Sequence, residues 1–110
     1  MAKSMVSPNL DHPTLSRIKA QFPDVKKAAT EYRGQTTLLV LPGDAHRVLE
    51  FLRNDPQCAY DFLSDVVGVD YLNYPAPPAP EGLAGRFAVI YNLVSYTHNR
   101  RLFVKTMLSP

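Results

Sequence analysis

The order of hydrophobic periodicities along the chain predicts an α+β fold of order α-β-β-α-β-β-β. It is two-layered, with one five-stranded mixed sheet and both helices on a single face. Three observations predict it. Apolar residues recur at helical spacing twice, at Leu15, Ile18 and Phe22 and again at Ala45, Val48, Leu49 and Leu52. The run Thr36–Leu41 is apolar on both faces, as a strand inside a sheet must be. Two further strand patterns, Phe87–Tyr96 and Arg100–Leu108, are separated only by Thr97-His98-Asn99, the length and chemistry of a hairpin turn.

Residues 1–10 read as a flexible leader, and residues 11–108 as one α+β domain. Asp11-His12-Pro13-Thr14 has the polar cap and early proline of a helix start, and Pro23 ends that helix. Val25 to Arg33 reads as a weaker strand, and Gly34-Gln35 turns it into the next one. Pro42-Gly43-Asp44 breaks the strand and caps the second helix, which Asp55-Pro56 stops. Gln57 to Asp65 reads as one more helical turn, burying Tyr60 or Phe62 with Leu63. Val66, Val67 and Val69 are strand-like, with Gly68 making room for a close neighbour. Residues 72–85 hold four Pro and two Gly and read as an extended loop. In the last hairpin, Asn99 is the residue that tolerates the positive φ the turn needs.

A chain of 110 residues with 45% hydrophobic residues is one domain, large enough to build a core without metal or disulfide staples. Its single Cys excludes an internal disulfide framework and fits a cytoplasmic setting. No apolar run approaches the ~20 residues of a membrane span, and Met1–Leu10 lacks the apolar segment of a secretory signal. A net charge of +2 does not mark a polyanion binder. The charge is unevenly placed, however. Residues 54–85 contain five acids and no base, whereas residues 86–110 contain four bases and no acid. Two such segments either fold side by side and neutralise each other or leave a basic hairpin free for an acidic partner.

Motifs for self-contained chemistry are missing from the sequence. His12, His46, His98 and Cys58 are scattered singly, without metal-ligand spacing. Cys58 lies between Asp55 and Asp61, which raise a thiol's pKa, so it reads as a small apolar filler. No nucleophile elbow or phosphate-binding glycine loop occurs. Asp61 and Asp65 would share a face one helical turn apart, as a general acid/base pair would, but acids also cluster wherever chains turn. The loop contains PxxP at Pro75–Pro78 and Pro77–Pro80 without the flanking base of a recognition ligand. Arg86-Phe87-Ala88-Val89-Ile90-Tyr91 partly echoes the aromatic strand of RNA-recognition motifs. It lacks their Gly and second aromatic, and the element order differs.

A longer pattern is more specific. It runs through Phe51-Leu52-Arg53-Asn54-Asp55-Pro56, Tyr60-Asp61-Phe62-Leu63-Ser64-Asp65-Val66-Val67-Gly68-Val69-Asp70-Tyr71, Arg86 to Ser95, and His98-Asn99-Arg100-Arg101-Leu102. In that order and spacing the sequence resembles the thirty-kilodalton (C) subunit of the proton-pumping NADH:quinone oxidoreductase of respiratory chains, complex I. The resemblance covers roughly residues 36–108. Asp65, Asp70, Tyr91, Ser95 and Asn99 stand at its motif positions. Family members continue into a segment with the signature ERE.YD.FG. This sequence ends at Leu108-Ser109-Pro110, ahead of it, so the expectation is a shortened member.

The resemblance implies a structural subunit of the hydrophilic arm, peripheral on the cytoplasmic face of the inner membrane. It would carry no cofactor of its own and would support electron transfer from NADH to quinone, coupled to proton translocation, by scaffolding its neighbours. The implied partners are the forty-nine-kilodalton (D) subunit and adjacent iron–sulfur subunits, with no nucleic acid and no membrane span. Related domains in membrane-bound hydrogenase complexes, and a small RNA- or single-stranded-DNA-binding domain, are the alternatives. Arg and Tyr dominate binding energy at interfaces, which selects Tyr71, Tyr96, His98, Arg100 and Arg101 as contact residues. Asp65 and Asp70 are the expected partners of Arg100 or Arg101 across the sheet.

Overall fold

The computed structural model describes residues 12–32, 34–73 and 82–109. The leader at 1–10, Arg33, and most of the Pro-rich loop with both PxxP runs lie outside the described residues. The elements are α1 (Pro13–Gln21), β1 (Lys27–Tyr32), β2 (Gln35–Val40), α2 (Pro42–Asn54), β3 (Phe62–Asp70), β4 (Phe87–Ser95) and β5 (Arg100–Leu108). The five strands form one sheet in the order β1-β2-β5-β4-β3, with β2 and β5 parallel and the other pairs antiparallel. This is the mixed sheet and the element order that the sequence predicts.

Alternation along the strands explains where the helices sit. Leu38 registers with Val104, Tyr91 with Val104 and Leu93 with Leu102, so these side chains share one face. Leu38, Val40, Leu93, Leu102 and Val104 form one buried cluster with Ile18 and Phe22 of α1 and its exit, and with Ala45, Val48 and Leu52 of α2. Both helices therefore cover the same face. Leu52, Val48, Val40 and Val104 are completely buried, and each such side chain stabilises the fold by about 1.5–3 kcal/mol. A smaller buried group outside this cluster joins Ala88 and its cross-strand partner Met107, with Leu83 also buried. Gly85 is required there, because a Cβ would lie 2.7 Å from the Leu108 carbonyl oxygen.

Helix starts differ in detail from the sequence reading. In α1 the cap is His12, whose Nδ1 accepts from the Thr14 amide, with Pro13 following. In α2, Pro42 is already helical, Leu41 is the cap position without a side-chain bond, and Asp44 sits in the first turn. Asp44 there accepts a 3.3 Å bond from Arg47 and favours the positive end of the helix dipole.

The larger difference is at residues 57–65. The segment is not helical: Cys58 and Ala59 donate to the Asp55 carbonyl and Tyr60 to that of Leu52, closing a tight turn that runs straight into β3. Of the expected burial of Tyr60 or Phe62 with Leu63, only Tyr60 is buried; Phe62 and Leu63 are 45% and 49% exposed. The reason is that β3 is the edge strand of the sheet, and a bulge sets which of its residues share a face. The register with β4 slips between Leu63 and Asp65, so Leu63 and Val66 share one face and Phe62 and Val67 the other.

Candidate interaction surface

Two kinds of polar residue stand out, those that tie elements together and those left facing solvent. The first kind gathers around the α2–β3 turn. Arg17 of α1 donates to both oxygens of Asp55, at 3.0 and 2.6 Å, and the Asp55 side chain is only 8% exposed. The guanidinium holds the Asp55 carboxyl below its ordinary pKa. Cys58 is completely buried beside that carboxylate, and burial, then Asp55, pushes its thiol up to about 12. Cys58 is thus the inert filler its neighbours suggest. Thr14 and Tyr60 share a 2.9 Å hydrogen bond in the interior.

The residues chosen as contacts fall in three places. His98 and Arg100 lean on this same turn: His98 Nε2 lies 2.9 Å from the Pro56 carbonyl oxygen, and Arg100 donates to that of Gln57 at 3.3 Å. Arg101, one residue on, is on the opposite sheet face and donates to Asn92 at 2.8 Å. Tyr71 is at the far end of the sheet, where its hydroxyl accepts from Lys105 at 3.3 Å and the ammonium lies 5.4 Å from the ring centre. Tyr96 is 71% exposed at the hairpin, its ring 5.6 Å from that of Phe62. The motif residues are placed more simply. Ser95 is buried and accepts from the His98 amide, Asn99 takes φ 54° in the turn, and Tyr91 packs on the core.

The expected pairing of Asp70 with Arg100 or Arg101 does not form. Asp70 ends β3 where β4 begins, opposite Phe87, so its partner is Arg86, at 2.9 and 3.0 Å. The Leu72 amide also donates to it at 2.9 Å, and Arg86 holds Asp70 below its ordinary pKa. Arg100 and Arg101 lie at the other end of the sheet. Asp65 is exposed on β3 and, among the described residues, neither it nor Asp61 has an ion-pair partner. Nor do Asp61 and Asp65 form a one-turn pair. Four residues of extended chain span roughly 13 Å, against about 6 Å along a helix.

The surface that sequence reasoning missed is β3 itself. It is an edge strand exposed along almost its whole length. Among the described residues, Phe62, Leu63, Val66, Val67, Leu72 and Tyr96 are the large exposed apolar ones, and all lie on, beside or against it. The helices cover β2, β5 and β4 and stop short of it. The available signal was the valine-rich alternation after Ser64 within a segment devoid of bases. Elsewhere, α1 and β1 frame a groove of about 210 Å³ lined by Leu15, Ile18, Lys19, Lys27, Ala28 and Leu38. Lys27 there is occupied, donating to the Phe22 and Val25 carbonyls. Among the described residues no cluster of three His, Cys, Asp or Glu side chains could hold a metal ion, and no helix is long and apolar enough to cross a membrane.

Fold and surface together define the class: a two-layer α+β sheet domain with its helices on one face and an apolar edge strand left open. The family model for the respiratory-chain NADH dehydrogenase 30 kDa subunit matches residues 38–110. The chain belongs to that family. The C subunit of NADH-quinone oxidoreductase from Roseiflexus castenholzii is 38% identical over 101 residues, which cover 91% of this chain and 53% of the relative. The same subunit from Cupriavidus metallidurans is 44% identical over 72 residues, 66% of this chain and 35% of that one. A solved trypsin-resistant fragment (1–134) of Nqo5 superposes with a TM-score of 0.64 at 25% identity, covering 87% of this chain and 71% of the fragment. The chain spans about half the length of the two Roseiflexus relatives it matches, 53% and 51%.

Proposed function

We propose that the chain is a structural subunit of the hydrophilic arm of an NADH–quinone oxidoreductase, with no cofactor of its own and no step that it catalyses itself. It supports electron transfer from NADH to quinone, coupled to proton translocation, by holding neighbouring subunits in place. Its partners are the forty-nine-kilodalton (D) subunit and adjacent iron–sulfur subunits, and it sits peripherally on the cytoplasmic face of the membrane. Family membership supports the class of complex. The observation that carries the scaffold role is the use made of the polar side chains. Arg17, Asp55, His98 and Arg100 bind α1, the α2–β3 turn and the β4–β5 hairpin to one another. Such ties stiffen a surface for docking.

Co-expression of the chain with the D subunit of the same genome tests this. A stoichiometric complex that survives size-exclusion chromatography is the expected result. Failure to associate, both for this chain and for a form extended through the ERE.YD.FG segment, would overturn the reading.

A further inference from the structure

The groove between α1 and β1 is a space that the fold creates and does not fill. Its volume, about 210 Å³, lies where β1 presents Ala28 and Ala29, single methyl groups, to a helix that carries Leu15 and Ile18. Ala29 is in register with Leu38 and faces the helix layer with it. Ile18 and Leu38, 1% and 2% exposed, form an apolar floor. Protein interiors normally close such gaps by packing side chains into them.

The charged part of the lining is all of one sign. Lys19 of α1 and Lys27 of β1 both border the groove, with Ser16 one turn before Lys19, and no Asp or Glu lines it among the described residues. Neither lysine has an ion-pair partner among those residues. Glu31 follows Ala29 on the same face of β1, two positions further on and outside the lining.

Lys27 is the more informative of the two. Its ammonium donates to the Phe22 carbonyl at 2.8 Å and to the Val25 carbonyl at 3.0 Å. These bonds hold a flexible side chain in one place without neutralising it, because a carbonyl is a dipole and not a counter-ion. An ammonium has three donors, and the third finds no acceptor among the described residues. The groove therefore sets a positioned, half-buried cation with a spare proton beside an apolar floor. A polar group that fixes orientation next to apolar walls is how small-molecule sites are made, and a cation held in place beforehand lowers the ordering cost of binding an anion.

We propose that the α1–β1 groove binds a short-chain amphipathic carboxylate. Its tail lies on Ile18, Leu38 and the two alanine methyls, and its carboxylate meets Lys27 and Lys19 in charge-assisted hydrogen bonds. The lysines select against a neutral hydrocarbon and the floor against a bare anion. The volume is below the ~300–1,000 Å³ of drug-sized pockets, which keeps the tail short. The site is apart from the polar ties at the α2–β3 turn, and the inference does not depend on the scaffold reading.

Octanoate is the probe, titrated into the full chain and followed by backbone amide chemical shifts. Saturable shifts centred on residues 15–19 and 27–29 are the expected result. Octanol, which has the tail without the charge, and acetate, which has the charge without the tail, should each bind at least tenfold more weakly. Lys19→Gln should weaken octanoate binding several-fold, and Ala29→Leu, which fills the groove, should abolish it. Equal binding of octanoate and octanol, absence of saturation, or shifts centred instead on the exposed Phe62–Val67 stretch would each overturn the proposal. So would a folded Ala29→Leu protein that binds as the wild type does. If Ala29→Leu does not fold, the three ligands compared on the wild-type chain decide the matter by themselves.

Discussion

Thr14 Oγ1, on the first turn of α1, and the Tyr60 hydroxyl share a buried hydrogen bond of 2.9 Å across 46 positions of sequence. Thr14 is 0% and Tyr60 3% exposed, so neither hydroxyl has water as an alternative partner. Tyr60→Phe should therefore destabilise the fold by about 1–3 kcal/mol, the cost of stranding a buried hydroxyl. Combining it with Thr14→Val removes both polar groups and should recover most of that loss. Urea unfolding of the two single variants and the double variant measures the coupling. A double variant no more stable than Tyr60→Phe would contradict it.

The Arg17–Asp55 pair makes a prediction in acid. Arg17 depresses the Asp55 pKa in the folded state, so the contribution is present above the unfolded value near 3.9 and disappears as pH falls through the lower folded one. Arg17→Gln should lower the melting temperature at pH 7, and the gap to wild type should close below about pH 4. The same site sets thiol reactivity. With its pKa pushed up to about 12, Cys58 is thiolate in only roughly one molecule in 10,000 at pH 8. Native protein should resist a thiol reagent that labels the unfolded chain at once. Asp55→Asn should bring the thiol down only part of the way, since burial is the larger cause.

What the sequence made legible was whatever depends on local pattern. The spacing of Ala45, Val48 and Leu52 marks the buried face of α2, and Asn99 marks the left-handed residue of the last turn, observed at φ 54°. The stretch from Gln57 to Asp65 misled because the tight turn at 57–60 and the bulge between Leu63 and Asp65 remove the regular alternation that marks a strand. The surroundings of His98 and Arg100 were beyond reach for a different reason. Their partners are the backbone carbonyls of Pro56 and Gln57, and a carbonyl has no residue type to recognise. Asp70 chose Arg86 over Arg100 because strand direction, which charge counting ignores, places the arginines at opposite ends of the sheet.

Thr106 offers a stabilising change. It lies on β5 between Val40 and Val89 in register, is 3% exposed, and its hydroxyl has no hydrogen-bond partner among the described residues. Thr106→Val keeps the branched shape and replaces a stranded hydroxyl with a methyl group. The gain should be about 1 kcal/mol, seen as a higher denaturant midpoint at unchanged slope. An unchanged or lower midpoint would mean that the hydroxyl is satisfied in solution.

His12 caps α1 through Nδ1, which accepts from the Thr14 amide at 3.2 Å. Only an unprotonated Nδ1 can accept, so protonation removes the cap. Burial, and then the charge of Arg100, hold His12 below its ordinary 6.5, against an opposing hydrogen bond to the Arg101 backbone. A depressed folded pKa means that the contribution is present above the unfolded value and lost as pH falls through the folded one. Wild-type stability should thus decline below about pH 6.5, by at most the 0.5–2 kcal/mol of an N-cap. His12→Asn keeps an acceptor that does not titrate, and its stability should stay flat from pH 7 to 5. The carboxylates Asp55 and Asp70 act only at lower pH, so the two windows separate. Denaturant melts at pH 7, 6 and 5 decide the matter: parallel decline of both proteins would remove His12 as the responsible group.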